Sequence, residues 1–388
     1  MHAFSPSNHS TTKRLAAAGI LACLSAFLVI AVSPAAATAG QTRGLQSDLD
    51  ALVAGGAPGA ILLVRDRHGT KRLTAGVADI ATGRPIHHRD RYRIASLAKT
   101  YVAAVVLQLV GEHKLQLSDS VERWLPGLVP NGENILIRHL LGHTSGLFDF
   151  EDDPRLVEPY LSGNLSFYWS PLERLALATS HEPLYPPGET TASTYSNTNY
   201  TVLGLIVEAV TGKSLENQLR RRIFEPLDLD ATTYPDRETV IEGRHARGYF
   251  LLGPPPLVDV TEFSPSITGA GGAIVSTVGE VARFYRALLK GRLLRPDLLR
   301  TMKTTLPAGS DPGAPAARYG LGLEQYATSC GTAWGHSGSF PGYWNYTFSS
   351  RSGKRQMVLM VNIDPNALPS ATVQRFYDLL DKAYCSTS

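Results

Sequence analysis

A serine and a lysine three residues apart form the first pair of groups in this chain that could carry out chemistry. Ser96 and Lys99 lie at the start of a long apolar stretch. If that stretch is helical, positions i and i+3 share one face, so the hydroxyl and the amine can touch. A serine hydroxyl is a poor nucleophile near neutral pH, but an amine whose charge is suppressed by burial can take its proton. The pair therefore predicts an acyl-transfer site, with Ser96 as nucleophile and Lys99 as base or proton shuttle.

The S-x-x-K spacing also occurs by chance, because Ser10 and Lys13 match it equally well. That second pair lies in a segment that we expect to be removed from the mature protein. The rest of the chain must therefore distinguish the two pairs.

Two further clusters supply what acyl transfer needs beyond a nucleophile and a base. They are Tyr195-Ser196-Asn197 and His336-Ser337-Gly338-Ser339. The Tyr195 phenol can accept and return a proton if cationic neighbours lower its pKa, and the Asn197 amide can hold a carbonyl of the acyl side. Gly338 lets a substrate approach the strand backbone closely. The backbone N–H groups of Ser96 and Ser339 could then form an oxyanion hole.

Strand patterns lie at both ends of the chain, with helices and polar loops between them. Residues 60–65 and 71–76 predict a hairpin, and four strand-like pieces follow Gly272, at 319–325, 333–339, 345–349 and 356–362. Residues 97–115 predict a buried helix and residues 371–383 an amphipathic one. We therefore expect an α+β fold, in which an antiparallel sheet is flanked by helices and an all-helical subdomain is inserted.

The domain boundaries follow from this distribution of elements. A sheet subdomain would comprise residues 40–100 and 270–388, and the helical subdomain residues 101–269. Clefts between such units are common catalytic sites.

Residues 1–39 have the organisation of a secretory signal peptide. Lys13 and Arg14 precede an apolar run over residues 15–32, and Ala37-Thr38-Ala39 is a small-residue cleavage site. The run is close to the shortest length that spans a membrane, so a retained anchor is the alternative. We expect the mature protein to be secreted.

Two cysteines, Cys330 and Cys385, remain after that cleavage. In an oxidising compartment such a pair is expected to form a disulfide bond, which would tie the C-terminal helix to a strand. Two free, buried cysteines are the alternative.

Other classes of function match the sequence less well. Loss of Lys13 and Arg14 reduces a formal net charge of +3 to a value nearer neutral, which argues against a nucleic-acid partner. The chain has no G-x-S-x-G, Gly212-Lys213-Ser214 lacks the upstream glycine of a P-loop, and His87-His88 has no metal-ligand spacing. We expect no metal, no cofactor and a monomer.

The order of the three clusters resembles that of the penicillin-recognising serine hydrolases, which have the DD-peptidase/β-lactamase fold. In that family S-x-x-K opens a helix, Y-x-N follows, and K/H-T/S-G lies on a late strand; Ser96, Tyr195 and His336 stand in that order. The supporting stretches include 137–147, 195–200 and 319–322. The chain is most similar to secreted D-alanyl-D-alanine carboxypeptidases related to class C β-lactamases. This resemblance implies peptide substrates ending in D-Ala-D-Ala and β-lactams as inhibitors.

Two other stretches imitate these motifs. Tyr343-Trp344-Asn345 is a second Y-x-N, but it follows the His336 cluster and so has the wrong order. The triplet-like His143-Thr144-Ser145-Gly146 is expected to be a structural turn.

One departure from the resemblance concerns the substrate's carboxylate. In the carboxypeptidases an arginine on the strand before the cysteine helps to hold it, whereas no Lys or Arg lies between Tyr319 and His336 here. Glu324 in that stretch would repel a carboxylate, although Ser337, Ser339 and a protonated His336 could still bind one. The alternatives to the carboxypeptidase are therefore an esterase, a D-amino-acid peptidase, a β-lactamase or a peptide cyclase of the same fold. A non-catalytic penicillin-binding sensor is a further one.

Overall fold

The computed structural model describes residues 34–251, 256–309 and 313–386. The chain divides into two units, Met1–Gly40 and Gln41–Ser388, and all that follows concerns the second. Most of the predicted signal segment, including Ser10 and Lys13, lies outside the described residues. Within the described chain, no helix combines the length and the apolar character that a membrane span requires.

Nine strands of the described chain form one antiparallel sheet. The strands along the chain are β1 (Gly59–Asp66), β2 (Gly69–Asp79), β3 (Arg84–Pro85), β4 (Tyr92–Arg93), β5 (Tyr249–Phe250), β6 (Val258–Asp259), β7 (Val275–Ser276), β8 (Leu306–Pro307), β9 (Ala317–Tyr319), β10 (Glu324–Thr328), β11 (Gly331–Phe340), β12 (Tyr343–Ser349) and β13 (Gln356–Val361). The order in the sheet is β3-β2-β1-β13-β12-β11-β10-β9-β8, while β4 pairs with β7 and β5 with β6 in two small ribbons. The two ends of the chain thus meet where β1 pairs with β13.

The helices precede, interrupt and follow these strands. They are α1 (Pro34–Ala54), α2 (Ala98–Gly111), α3 (Val121–Trp124), α4 (Ile137–Leu141), α5 (Glu158–Leu161), α6 (Pro171–Thr179), α7 (Thr198–Thr211), α8 (Leu215–Leu219), α9 (Val278–Leu289), α10 (Pro296–Met302) and α11 (Ser370–Cys385). Those from α3 to α8 lie between the first and last groups of sheet strands, as the sequence pattern predicts.

The sheet is a middle layer between two apolar cores. Along β1, Ile61 and Leu63 belong to the core shared with α2 and α9. Ala60, Leu62 and Val64 face the opposite core, which α1 and α11 cover. Side chains alternate between the faces of a strand, so an almost continuous apolar run indicates a strand that is covered on both faces.

The expected fold class is confirmed, but two element predictions need correction. The single strand predicted over 319–325 is two strands, because Gly322 has a φ of +74° and the chain turns between β9 and β10. The helix predicted over 97–115 begins at Ala98 and ends at Gly111. Before it, Ala95–Leu97 forms a 3₁₀ turn, so Ser96 precedes the helix itself. The subdomain boundaries stay a prediction.

A disulfide bond joins Cys330 and Cys385. Cys385 is the last residue of α11, whereas Cys330 lies in the turn between β10 and β11. The bond therefore ties the helix to a hairpin turn, where the sequence predicted a strand.

Candidate active site

Ser96 stands on a strained turn directly before α2. Its neighbour Ala95 is buried and has a φ of +53°, a conformation that residues other than glycine rarely adopt. The turn packs beneath β11, where Gly338 has no side chain. A Cβ at Gly338 would lie 2.9 Å from the backbone nitrogen of Ser96. The close approach of strand and turn therefore depends on glycine at this position.

Lys99 is fully buried, and its Nζ has three partners. It lies 3.0 Å from Ser96 Oγ, 2.6 Å from Asn197 Oδ1 and 3.0 Å from the carbonyl oxygen of Gly271. A neutral amine has two N–H donors, which the amide and carbonyl oxygens accept, so its lone pair is left facing the Ser96 hydroxyl. Burial lowers the pKa of Lys99 to about 8, although the carboxylates of Glu151, Asp149 and Glu324 oppose this shift. Lys99 is therefore positioned to remove the proton of Ser96.

Asn197 is held in one orientation by two charged groups. Its Nδ2 donates to Asp149 Oδ2 at 3.0 Å, while its Oδ1 accepts from Lys99. The second N–H of the amide is the donor that can meet a substrate carbonyl, because Asn197 lines the cleft. Asp149, which sequence analysis did not select, thus fixes the Asn197 amide.

Tyr195 lies across the cleft from β11, with 39% of its surface exposed. Its hydroxyl hydrogen-bonds with Ser96, and the Lys99 ammonium lies 4.8 Å from the centre of its ring. Desolvation of the hydroxyl, with the nearby carboxylates of Glu324 and Glu151, raises the pKa of Tyr195 well above its usual value. The expectation that cationic neighbours lower this pKa is wrong. A protonated Tyr195 is instead a donor that can deliver a proton to a leaving group.

His143, expected to lie in a structural turn, supports the Tyr195 loop from below. Its ring is fully buried and lies 4.3 Å from the ring of Tyr195. Its Nδ1 accepts from the backbone N–H of Ser196 at 3.2 Å and lies 3.0 Å from Asn199 Nδ2. The sequence signal was the repeated H-T/S-G-like pattern, and the structure shows a positioning role for this histidine.

The exposed edge of β11 provides the oxyanion hole. The backbone N–H of Ser337 points to the β10 side, where it donates to Glu324 Oε2 at 2.7 Å. Ser339, two residues further along, must point to the same side because strands alternate. There β10 has ended, since its register stops at the pairing of Glu324 with Gly335. The N–H of Ser339 therefore faces the cleft, close to the N–H of Ser96.

The structure does not bring the His336 ring to the surface of the cleft. The residue is fully buried, with its Nε2 3.0 Å from the Tyr319 hydroxyl and its Nδ1 2.6 Å from the Ser337 carbonyl oxygen. Burial lowers the pKa of His336, although Glu324 opposes the shift. A neutral, covered imidazole does not bind a substrate carboxylate, so the predicted direct contact is wrong. His336 instead supports β11 and Tyr319.

These groups border a cleft of about 650 Å³. Ser96, Tyr195, Asn197 and the 337–339 segment line it together, as the sequence predicted. Two carboxylates, Glu151 and Glu324, also line it. Among the described residues that line the cleft, there is no lysine, arginine or histidine. Glu151 had no motif that could have identified it, because the helical insert brings it to the cleft only on folding.

Comparison with known proteins follows this geometry closely. The family profile described as Beta-lactamase matches residues 45–380. The chain belongs to this family. Its architecture and its Ser96–Lys99 site are those of a serine hydrolase with the β-lactamase/transpeptidase-like fold. Within the described residues, no cluster of three or more His, Cys, Asp or Glu side chains could hold a metal ion.

Individual relatives cover most of the chain. Penicillin-binding protein 4 of Amycolatopsis lactamdurans is 30% identical, over 74% of this chain and 76% of its own length. Among solved structures, a D-stereospecific amidohydrolase from a Streptomyces species is 35% identical, with a TM-score of 0.79 over 89% of this chain and 99% of that one. The D-amino acid amidase of Ochrobactrum anthropi SV3, in complex with L-phenylalanine amide, is 29% identical, with a TM-score of 0.81 over 89% and 98%.

Proposed function

We propose that the protein is a serine amidohydrolase that cleaves amide or peptide bonds of D-amino acids with a free α-amino group. The observation that carries this proposal is the charge of the cleft. Glu151 and Glu324 line it, and no basic side chain among the described lining residues balances them. An ammonium group is attracted to such a cleft, whereas a terminal carboxylate is repelled.

The chemical steps follow from the positions of the site residues. Lys99 takes the proton of Ser96 as the hydroxyl attacks the amide carbonyl, and the N–H groups of Ser96 and Ser339 stabilise the resulting oxyanion. Tyr195 donates its proton to the departing amine and recovers one from Lys99, which leaves an acyl-enzyme. Water then adds to the ester with the same base, and the acid and Ser96 are released.

The preference for the D configuration is supported by relatives, not by a contact in the cleft. Both structural neighbours named above are described as acting on D-amino acid derivatives or as D-stereospecific. Their chains are matched over nearly their whole length, so the comparison extends to the cleft-forming elements.

A D-alanyl-D-alanine carboxypeptidase is the second candidate, favoured by the likeness to penicillin-binding protein 4. The Ser337 and Ser339 hydroxyls border the cleft and could receive a carboxylate. Such a substrate would have to tolerate Glu324, whose carboxylate accepts from the N–H of Ser337 and from the hydroxyl of Tyr326.

Substrate pairs that differ in one charged group distinguish these candidates. We expect D-phenylalanine amide and D-alanine amide to be hydrolysed, with a lower kcat/KM for the N-acetylated forms and for the L enantiomers. Ser96→Ala, the matched control, should abolish turnover of all of them. Faster turnover of N-acylated peptides that end in D-Ala-D-Ala, with loss of rate on C-terminal amidation, would instead establish the carboxypeptidase.

β-Lactam acylation of Ser96 and secretion are further proposals. A fluorescent penicillin should label the wild-type protein and not Ser96→Ala, because its strained amide resembles the scissile bond of a D,D-dipeptide. Secretion rests on the signal-like residues 1–39, and N-terminal sequencing of the exported protein would test it.

A further inference from the structure

A second cavity, of about 860 Å³, concentrates positive charge in one place. Eight arginines and one lysine line it, against two carboxylates, Asp228 and Glu280. The whole chain has 37 basic and 34 acidic residues, so the rest of the molecule is nearly balanced. None of the residues that line this cavity lines the catalytic cleft.

Two elements hold most of these cations on facing surfaces. In the β1–β2 hairpin, Arg72 pairs with Leu63, two residues from Arg65 on the same strand, so both arginines project from one face. On α9, Arg283 and Arg286 are three residues apart, and Lys290 follows four residues later, directly after the helix. That spacing places the three on one side of the helix.

The carboxylates at the cavity do not neutralise these cations. The oxygens of Glu280 accept from the backbone N–H of Ala231 at 3.0 Å and from the Thr232 hydroxyl at 2.6 Å. Of the nine permanent cations, Arg244 alone forms an ion pair within the described chain, with Asp90 at 2.5 Å.

Mutual repulsion is visible in the individual groups. Burial lowers the pKa of Arg65, and the charges of Arg286, Arg72 and Arg283 lower it further. The Nε of Arg65 is buried without a hydrogen-bond partner. Like charges assembled in this way destabilise a fold unless a ligand neutralises them.

We propose that this cavity binds a linear polymer of phosphate or phosphodiester groups. Guanidinium groups bind phosphate oxygens in pairs of parallel hydrogen bonds, which makes arginine suited to this ligand. A single phosphate could meet only part of a cation set spread over a hairpin and a helix, whereas a chain of phosphates could meet most of it. The ligand is therefore multivalent.

Two other polyanions match the cavity less well. Nucleic acids are held in part by bases stacked on aromatic rings, and the described residues of the cavity include no Phe, Tyr or Trp. An anionic bilayer is a broad surface and cannot enter a concave cavity. The chemistry thus favours a flexible backbone of phosphates without aromatic groups.

Binding of inorganic polyphosphate, followed by calorimetry at several salt concentrations, tests this assignment. We expect polyphosphate to bind much more tightly than orthophosphate at equal total phosphate. The double variant Arg72→Gln/Arg286→Gln should bind at least tenfold more weakly, with a salt dependence smaller by about one per lost contact. The matched control is Arg375→Gln, which removes the same charge from an exposed position of α11.

The remaining outcomes would overturn the proposal. They are equal affinity of wild type and double variant for polyphosphate, equal affinity of the wild type for orthophosphate, and equal or tighter binding of single-stranded DNA or of vesicles rich in anionic phospholipid. Thermal unfolding of each variant shows whether it has folded. Because the cavity is separate from the cleft, this result is independent of which substrate Ser96 attacks.

Discussion

The base of the site is defined by where hydrogen bonds leave a lone pair. Asn197 Oδ1 and the Gly271 carbonyl oxygen take the two donors of a neutral Lys99, so only the Ser96 hydroxyl remains for the lone pair. Sequence alone identified Ser96, Lys99 and Asn197 through their spacing. It could not identify Asp149 or Glu151, because their role depends on a loop that folding brings alongside Lys99.

The pH dependence of turnover should report the pKa of Lys99. A base acts when it is unprotonated, so kcat/KM should rise as the pH passes through about 8. An ordinary lysine, with a pKa of 10.5, would place this rise more than two units higher. Stopped assays with D-phenylalanine amide from pH 6 to 10 measure the rise, and a midpoint near 10 would contradict the buried base.

Replacing Glu151 should move that midpoint downward. The Glu151 carboxylate is the strongest of the charges that favour protonated Lys99, so Glu151→Gln should let the lysine lose its proton at lower pH. Asp152→Asn, which removes a charge from the exposed neighbouring position, is the control and should shift the midpoint less. The same pH series measures both variants; equal shifts would show a general charge effect.

At the scale of elements, periodicity predicted where strands lie but not where they break. The apolar runs of β1 and β13 have the length and composition of strands covered on both faces, and the structure confirms this. The division of 319–325 into β9 and β10 depends on Gly322, whose Cβ would lie 2.3 Å from that of Ala103 in α2. Such a contact between distant elements has no periodic signal in the sequence.

The approach of β11 to the Ser96 turn can be tested with one methyl group. Gly338→Ala would place a Cβ 2.9 Å from the Ser96 nitrogen, so strand and turn must separate and the oxyanion donors move apart. We expect kcat to fall on the order of a hundredfold, as when one oxyanion donor is lost. Gly279→Ala, where the nearest atom lies 3.8 Å away, should leave kcat unchanged. Steady-state kinetics of both variants provide the comparison.

The cationic face of α9 should limit the stability of the ligand-free protein. Arg286→Gln removes a charge that repels Arg65 and Lys290, so we expect the free energy of unfolding to rise by about 0.3–0.5 kcal/mol. Urea unfolding at low salt measures the gain, which added salt should reduce. A loss of stability would mean that Arg286 makes a favourable contact instead.

At the scale of the whole molecule, the sheet depends on both ends of the chain. β1 pairs with β13, and α1 and α11 cover the same core. This closure could be anticipated from strand patterns at the two ends. The electrostatic contrast between the acidic cleft and the basic cavity could not, because the near-neutral net charge conceals both.

The disulfide closes a loop of 55 residues that contains β11 to β13 and most of α11. Cys330→Ala/Cys385→Ala should lower the free energy of unfolding by about 4 kcal/mol on the chain-entropy account. Urea unfolding of the variant measures this difference. Reduction of the wild type should give the same loss, and no change would mean that the unfolded chain is already compact.

The unpaired edge of β11 beyond Gly335 makes the cleft the place of a missing strand. A substrate that lies along Ser337–Ser339 would be held largely by its own backbone, as an added strand is. In such a pairing each side chain leaves the backbone toward one face or the other. Inverting a single α-carbon moves its side chain to the opposite face, so handedness is converted into a question of which wall the side chain meets.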